Sequence, residues 1–288
     1  MRWEFGRRSQ NVEDRRGMRM SRPVVGGGLG AIVLAIIVAL LGGDPSAILQ
    51  QAAPPQQDYG QSNGSARGRS PEEDRLAEFS SVVLADTEDV WTDLFRQQGE
   101  RYRVPNLVLF TESVQSACGY ASAASGPFYC PADEKVYLDL NFFKELHDRH
   151  QAPGDAAQAY VIAHEIGHHV QKQLGILPEI QALQQRVSKT QSNQLSIMLE
   201  LQADCFAGVW ANQAQRTQRN VVLEPGDVEE ALTAASSVGD DFIQMQARGY
   251  VVPESFNHGT SAQRVRWFKR GLQSGDPAQC DTFNASSL

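Results

Sequence analysis

The chain has 288 residues, with 34 acidic against 26 basic side chains and a net charge of −8. Such an acidic chain lacks the basic face that general nucleic-acid binding requires, which argues against a nucleic-acid partner. The length leaves room for one large domain or two small ones.

An uncharged run lies near the start of the chain. Residues 23–43 carry no charged side chain, and residues 29–41 (LGAIVLAIIVALL) are strongly apolar. About 20 such residues span a bilayer as a helix. The alternative is a cleaved signal peptide, whose apolar region is shorter, roughly 7–15 residues, and closes with a small-residue cleavage site that is not evident here. The run therefore predicts one transmembrane anchor at residues 23–43.

The flanks of this run predict its orientation. Residues 1–22 hold seven arginines, and a basic flank of this kind stays in the cytoplasm, which would place the C-terminal bulk in the periplasm or outside the cell. Residues 44–69 are rich in Gln, Ser, Gly, Ala and Pro and indicate a flexible linker. A folded domain is then expected over residues 70–288.

The domain begins with a helix and continues with short strands. Ser70, Pro71 and Glu73 form a helix start with a capping box, and the apolar spacing that follows predicts a helix to about residue 98. Residues 107–110 and 136–140 have the composition of strands, and the second is a candidate edge strand.

Four cysteines permit three pairings. In a domain outside the cytoplasm, Cys118 and Cys130 would close the Gly/Ala-rich loop between the two strands as a disulfide. That pairing leaves Cys205 with Cys280, and the alternative is that Cys205 is a small buried apolar residue in a helix.

The most informative stretch is QAYVIAHEIGHHV, residues 158–170. In a helix, His164 and His168 lie four residues apart on one face, so their imidazoles can bind one ion, while Glu165 borders that face as a general base. This is the H-E-x-x-H arrangement of zinc hydrolases. Asp155 is the expected N-cap of the helix and Gly175 its expected end.

A catalytic zinc needs a third protein ligand and an open position for water. Glu200 is the expected ligand, because it lies in a mostly apolar helical stretch where a carboxylate needs a partner; Glu179 is the alternative. Asp204, one turn later, would accept the free N–H of a ligand histidine.

The remaining histidines differ in their surroundings. His258 is a candidate donor to the oxyanion of a tetrahedral intermediate, and the alternative is a surface or capping histidine. His169 points away from the ligand face, so it is expected to be structural or exposed. His147 and His150 lie in a polar stretch and are expected to be exposed. A second capping box at Asp227 predicts a helix to about residue 248.

These motifs together resemble the neutral zinc metallopeptidases of bacteria. The resemblance covers nearly the whole chain and is carried by the following segments: RRSQNVEDRRG, SACG, GPFYCP, VYLDL, AYVIAHEIGHHVQ, ELQADCFAG, HGTSAQR and CDTF. A wider similarity to gluzincins implies Glu200 as third zinc ligand and Asp204 behind the site. It also implies roles for a histidine followed six residues later by an arginine, here His258 and Arg264, although Gly259 stands where those relatives have proline.

We therefore expect a predominantly helical α+β protein, with a zincin-like domain that has a small sheet and is preceded by one transmembrane helix. The expected function is zinc-dependent peptide hydrolysis, with one Zn²⁺ per chain and a peptide or protein as substrate. Two alternatives are a zincin-like module that binds envelope proteins without cutting them and a purely structural metal site, which would need a fourth protein ligand.

Overall fold

The structure is a computed structural model that describes residues 1–17, 70–122 and 126–288. The chain divides into two compact units, one formed by Met1–Arg16 with Arg69–Leu288 and the other by Gly17–Gly68. The expected anchor at residues 23–43 and the linker at 44–69 lie outside the described residues. Within the described residues, none of the helices combines the length and apolar character that a bilayer crossing demands.

Helices dominate the first unit, as expected for an α+β chain of this kind. Its described residues form eight α-helices: α1 Pro71–Gln97, α2 Asn141–Asp148, α3 Asp155–Gln173, α4 Ile176–Gln184, α5 Lys189–Thr217, α6 Asp227–Ser237, α7 Asp240–Arg248 and α8 Ser261–Ser274. Helix α5 packs against both α3 and α8, and α1 packs against α3 and α5. This packing puts the candidate metal ligands of α3 and α5 next to each other.

The strands form a small sheet and a separate hairpin. Strands β1 (Val12–Asp14), β2 (Asn106–Phe110) and β6 (Lys135–Asp139) pair in parallel, and β5 (Phe128–Cys130) pairs antiparallel with β6, giving the order β1-β2-β6-β5. Strands β3 (Ser113–Ser116) and β4 (Gly119–Ser122) form the hairpin. The expectation that residues 136–140 form an edge strand is wrong, because β5 covers that side and is itself the edge.

The first sixteen residues belong to the same unit as the helices. Strand β1 pairs with β2, and Trp3 is 5% exposed with its ring 5.4 Å from that of Phe79. The sequence placed residues 1–22 in a compartment separate from residues 70–288, whereas the structure packs residues 1–16 into the helical domain. Hydropathy did not reveal this packing, because a three-residue strand and one buried Trp are too short to form a pattern.

The ends of the helices confirm two of the local predictions and contradict two others. The capping box at Ser70 is formed in both directions with Glu73, and α3 ends just before Gly175, as predicted. Asp155 is not the N-cap of α3, because Gly154 holds that position and Asp155 contacts the Met1 ammonium group instead. The capping box at Asp227 is not formed either, since the Asp227 carboxylate accepts the Glu224 amide, outside the helix.

The single helix expected from residue 227 to about residue 248 is divided into α6 and α7, with Gly239 as the N-cap of α7. Both disulfide pairs are present, Cys118 with Cys130 and Cys205 with Cys280. The second pair ties α5 to the C-terminal 3₁₀ turn at Pro277–Cys280.

Candidate metal centre

Helix α3 brings three polar residues of the H-E-x-x-H motif into a largely apolar environment. Its residues from Tyr160 to Ala163 are all at most 7% exposed, and so is Ile166, so the helix is buried on most sides. His164 is 7% exposed and Glu165 is 8% exposed. Polar groups at such positions need partners, because burial without a hydrogen bond or a bound ion is costly.

Glu200 of α5 meets the two histidines of α3. Its Oε2 atom lies 3.2 Å from His164 Nε2, and its Oε1 atom lies 3.5 Å from His168 Nε2. One potential ligand atom from each of the three residues lies within 4.8 Å of the others. The structure therefore brings together the three residues that the sequence singled out as metal ligands.

A close approach of the two helices makes this meeting possible. A Cβ atom at Gly167 would lie 3.0 Å from both Cα and O of Ala203, which is shorter than an ordinary contact. Glycine at position 167 therefore lets α3 and α5 pack with their backbones almost touching. Glu200 and Asp204, on either side of Ala203 along α5, reach the histidines as a result.

The charges of His164 and Glu200 depend on their neighbours. Burial alone would lower the pKa of His164, but the charge and hydrogen bond of Asp204, with a contribution from Glu200, outweigh it and raise this pKa to about 10. Burial alone would raise the pKa of Glu200, but the imidazoles of His168 and His164 hold it far below its usual range. The carboxylate is thus ionised and requires positive charge beside it, from protons or from a metal ion.

Asp204 connects His164 to Arg264. Its Oδ1 atom accepts a 2.8 Å hydrogen bond from His164 Nδ1, which leaves Nε2 directed at Glu200. Arg264 donates to both carboxylate oxygens of Asp204, at 2.8 and 2.9 Å, and the Tyr160 hydroxyl donates to Oδ1 at 2.5 Å. Asp204 is fully buried. Burial alone would raise the pKa of its carboxyl, but Arg264 and His164 outweigh burial and hold this pKa below its usual value, so the carboxylate remains charged.

A second set of contacts holds His168. Its Nδ1 atom donates to Gln171 Oε1 at 2.9 Å, and Gln171 in turn donates to the Leu199 carbonyl at 2.7 Å and to Gln202 Oε1 at 3.1 Å. Gln202 donates to the carbonyl of Cys280 at 2.9 Å. The orientation of His168 thus depends on a buried amide chain that ends at the C-terminal disulfide.

Glu165 differs from the other buried acids near the site. Among the described residues, its carboxylate has no hydrogen-bond partner, although the side chain is only 8% exposed. Its oxygens are not sealed from solvent, since they are absent from the fully buried unpaired atoms. A carboxylate in this state can accept a hydrogen bond from a water or a substrate group, as a general base must.

His258 lies on a loop that one carboxylate anchors. Asp240 Oδ2 accepts from the backbone amides of Asn257, His258 and Gly259 at 2.8, 2.7 and 3.0 Å. Asp240 Oδ1 accepts from His258 Nδ1 at 3.2 Å, and this bond raises the pKa of His258, with a further contribution from the charge of Glu200. The imidazole is therefore held in one orientation, favours its protonated form and interacts electrostatically with Glu200 of the candidate metal centre.

The backbone conformation at Gly259 explains why this position does not carry the proline of the gluzincin pattern. Its φ angle is 91°, in the left-handed region, and the proline ring fixes φ near −65°. The loop after His258 therefore requires a backbone conformation that proline cannot adopt.

The other predicted residues lie away from the centre. Glu179 is exposed on α4 and does not belong to the cluster, so it is wrong as the alternative ligand. His147 is exposed, as expected, whereas the expectation that His150 is exposed is wrong, because its ring is half-buried and bonds to the Ser237 carbonyl. His169 is fully buried and structural, since it accepts from the Tyr129 hydroxyl of β5 and donates to the Arg103 carbonyl.

Sequence reasoning missed four residues that hold the site: Tyr160, Gln171, Gln202 and Asp240. Tyr160 and Gln171 were accessible to it, because they lie one turn before His164 and three residues after His168 on the same helix. Gln202 and Asp240 carried no such signal, since only the tertiary packing of α5 and α7 brings them to their partners.

The cluster fits a zinc ion by its chemistry. It offers two imidazole nitrogens and one carboxylate oxygen, and each imidazole has an acceptor on its other nitrogen, as zinc-binding histidines typically do. Among the residues that the structure describes, no fourth His, Cys, Asp or Glu joins this group. Three protein ligands with a free position are typical of catalytic zinc and not of structural zinc.

Comparisons with known proteins agree with this geometry. The family described as "Putative neutral zinc metallopeptidase" matches residues 1–283. The chain is 49% identical to the uncharacterized protein YpfJ of Escherichia coli K12, over 99% of this chain and 100% of that protein. It is 39% identical to the uncharacterized protein Rv2575 of Mycobacterium tuberculosis H37Rv, over 86% of each chain. No solved structure matches this chain significantly.

Proposed function

Because the chain belongs to the neutral zinc metallopeptidase family, we propose that it is a zinc-dependent endopeptidase with one catalytic zinc held by His164, His168 and Glu200. The observation that carries the proposal is the convergence of these three side chains beside an unpartnered, solvent-reaching Glu165. The family implies zinc and a peptide or protein substrate. The ligand set and the endopeptidase activity are the proposal.

Each residue of the site has a definite part in the proposed reaction. Zinc, when bound, supplies the Lewis acidity that makes a water molecule acidic near neutral pH. Glu165 would accept a proton from the attacking water as the water oxygen bonds to the substrate carbonyl carbon, and would deliver that proton to the nitrogen that leaves when the C–N bond breaks. His258, held by Asp240, donates to the oxyanion that develops on the substrate carbonyl.

Asp204 and Arg264 act behind the ligands. The Asp204 carboxylate fixes His164 in the tautomer whose proton is on Nδ1, so that Nε2 is available to the metal. Arg264 neutralises Asp204 and lies 4.0 Å from Glu200 Oε2, so it balances negative charge on both carboxylates.

The short edge strand β5 is the proposed site of substrate pairing. Its outer side has no neighbouring strand in the sheet of the described residues, and an extended peptide can add to such an edge through main-chain hydrogen bonds. The hydroxyl of Tyr129 in β5 bonds to His169, the neighbour of His168, so this edge is fixed relative to the metal helix.

The test is cleavage of an unfolded protein by the purified full-length chain. We expect about one zinc per chain, cleavage that a chelator abolishes and added zinc restores, and no cleavage by the Glu165→Gln variant, which should still bind zinc. A Glu165→Gln variant that binds zinc and cleaves at the wild-type rate would refute the general base. Zinc binding without cleavage by the wild-type chain would favour a non-catalytic binding module instead.

The compartment is also part of the proposal. Two disulfides connect residues of the metal-carrying domain, and such bonds persist outside the reducing cytoplasm. We therefore place the domain in the periplasm or outside the cell. Attachment to the membrane through residues 23–43 stays a prediction, because these residues lie outside the described part of the chain.

A further inference from the structure

The first sixteen residues and the helical domain share a set of buried polar contacts. Glu88 of α1 is 5% exposed, and its Oε1 atom accepts from Ser9 at 2.5 Å and from Asn11 at 2.7 Å. Its Oε2 atom accepts from Arg7 at 2.9 Å. All three of these donors come from residues 7–11, so the buried carboxylate of α1 depends on the N-terminal segment for its partners.

Backbone pairing joins the same two regions. The Leu107 amide donates to the Asn11 carbonyl, and the Arg15 amide donates to the Leu109 carbonyl, both at 2.8 Å. Strand β1 is therefore a true member of the sheet. Removing β1 would expose one hydrogen-bonding edge of β2, which has a neighbouring strand on each side in the folded unit.

Arg16, at the end of the N-terminal segment, lies beside the first turn of α1. Arg16 is 6% exposed and donates to the Glu73 carbonyl at 2.7 Å and to the Asp74 carboxylate at 3.1 Å. The hydrocarbon core of a bilayer is about 30 Å thick, so residues in contact at these distances lie on one side of it. A single crossing between Gly17 and Ser70 would separate groups that the structure places in direct contact.

The described N-terminal arginines form ion pairs within the folded domain. A run of arginines before an apolar segment predicts a cytoplasmic N-terminus, because free cationic side chains resist transfer across the membrane. Here all five described arginines of the segment have carboxylate partners: Arg2 with Glu224, Arg7 with Glu88 and Asp89, Arg8 with Glu78, Arg15 with Glu13, and Arg16 with Asp14 and Asp74. Ion pairs within the domain explain the presence of these five, which therefore do not by themselves indicate a separate compartment; Arg19 and Arg22 lie outside the described residues.

From these contacts we infer that residues 2–16 lie in the same compartment as the metal-carrying domain. The N-terminal segment is a structural part of the peptidase domain and not a cytoplasmic tail. The inference opposes the expectation that residues 1–22 and 70–288 lie on opposite sides of a membrane. It also means that a fragment starting at Ser70 would lack strand β1 and the partners of Glu88.

Cysteine labelling of the full-length chain in cells tests the inference. Phe5 is 99% exposed and Tyr250 is 59% exposed, and all four native cysteines are in disulfides, so the Phe5→Cys and Tyr250→Cys variants each carry one reactive thiol. Each variant is treated with a membrane-impermeant maleimide before and after permeabilisation, and the signal is divided by that of the denatured protein.

Equal labelling of both variants from one side is the expected result. If both react before permeabilisation, the shared compartment is outside the cytoplasm, as proposed above. If both react only afterwards, the shared compartment is the cytoplasm, which refutes the proposed location but supports this inference. Labelling of Tyr250→Cys before and of Phe5→Cys only after permeabilisation would overturn the inference.

A second variant tests the packing itself in the purified full-length chain. Glu88→Gln removes the charge that Arg7 neutralises, whereas Glu72→Gln changes an exposed residue of the same helix. We expect the melting temperature to fall by at least about 5 °C for Glu88→Gln and to stay nearly unchanged for Glu72→Gln. Equal melting temperatures for the two variants would show that the N-terminal segment is not packed as described.

Discussion

Each histidine of the candidate centre is held by a different type of partner. His164 is fixed by a charged branch through Asp204 and Arg264, and His168 by a neutral branch through Gln171. Partners of this kind set ring orientation and tautomer, and their loss typically costs 10- to 100-fold in metal affinity. The neutral branch is the more useful one to test, because changing it leaves no buried charge unpaired.

Substitution of Gln171 by Ala should weaken zinc binding. The change frees His168 Nδ1 and breaks the link to Gln202, so we expect zinc affinity to fall about 10-fold while the chain stays folded. Competition with a chromophoric chelator measures the affinity. Gln181→Ala, at an exposed position of α4, is the control. An unchanged zinc affinity for Gln171→Ala would show that the amide chain does not support the metal.

The buried carboxyl of Asp86, away from the candidate centre, makes the stability of the protein depend on pH. Burial raises its pKa to about 6, although Trp210 donates to one of its oxygens at 2.9 Å and opposes the shift. A carboxyl with a raised folded-state pKa contributes full stability below its unfolded pKa, near 4, and that contribution is lost as the pH rises through 6. The ionised form is therefore a destabilising element at neutral pH.

Replacing Asp86 by Asn should stabilise the protein in a pH-dependent way. The neutral amide imitates the protonated acid, so the free energy of unfolding should rise by about 2 kcal/mol at pH 8 and change little at pH 4. Denaturant melts at both pH values measure this difference, with the exposed Asp148→Asn as control. A gain of equal size at both pH values would contradict the titration of Asp86.

At the residue scale, spacing within one helix decided what could be predicted. His164, Glu165 and His168 are recognisable because four-residue spacing puts chemistry on one face. Glu200 and Asp204 followed because carboxylates in an apolar helix need partners, and the structure brings both to the histidines. Asp240 was not predictable, because its role depends on the loop of residues 257–259 folding back onto the start of α7.

At the element scale, the site depends on how closely α3 and α5 pack. Glycine at 167 lacks the Cβ atom that would lie 3.0 Å from the backbone of Ala203. Glycine costs roughly 0.5–1 kcal/mol in a helix interior relative to alanine, so its presence in α3 is unfavourable unless packing requires it. The helix interface explains why it is present.

Gly167→Ala should therefore destabilise the protein, although the same change usually stabilises a helix. The added Cβ would lie 3.0 Å from Ala203 and would force the helices apart, which costs typically 1–3 kcal/mol and moves Glu200 away from the histidines. We expect a lower melting temperature together with weaker zinc binding. A melting temperature that rises, as helix propensity alone would give, would show that the interface tolerates the extra atom.

The elements themselves were more predictable than their ends and neighbours. Strong apolar periodicity and the Ser70 capping box predicted α1, and the strand segments at 107–110 and 136–140 are present as β2 and β6. The order of strands was not predictable, because β5 and β1 are three residues long and carry no alternation. The capping residues expected at Asp155 and Asp227 failed because both carboxylates bind partners outside their helices.

At the scale of the whole molecule, two disulfides close loops of very different length. Cys118 and Cys130 are 12 residues apart, whereas Cys205 and Cys280 are 75 residues apart and join α5 to the C-terminal segment. Because a cross-link restricts the unfolded chain more when the loop is longer, the second bond should contribute more to stability, about 4 kcal/mol against about 3 kcal/mol.

The Cys205→Ala/Cys280→Ala variant should accordingly be less stable than the Cys118→Ala/Cys130→Ala variant. It should also bind zinc more weakly, since the carbonyl of Cys280 ends the amide chain behind His168. Denaturant melts and zinc titrations of the two double variants compare them directly. Equal zinc affinities, or a reversed order of stability, would show that the C-terminal bond does not support the centre.

The division of the chain was the least predictable feature of the whole molecule. Hydropathy separates residues 1–22 from residues 70–288, because the apolar run at 29–41 lies between them. The contacts of Trp3, Ser9 and Arg16 join these regions, and no pattern in the N-terminal sequence announces the distant partners.

The central claim is that His164, His168 and Glu200 together hold one zinc ion and leave a position open for water. An anomalous difference map at the zinc edge, from crystals of the full-length chain grown with zinc, tests it most directly. We predict one strong peak within coordination distance of His164 Nε2, His168 Nε2 and a Glu200 oxygen, with no other protein ligand. A peak bound elsewhere, or one that lacks Glu200 or gains a fourth protein ligand, would contradict the account.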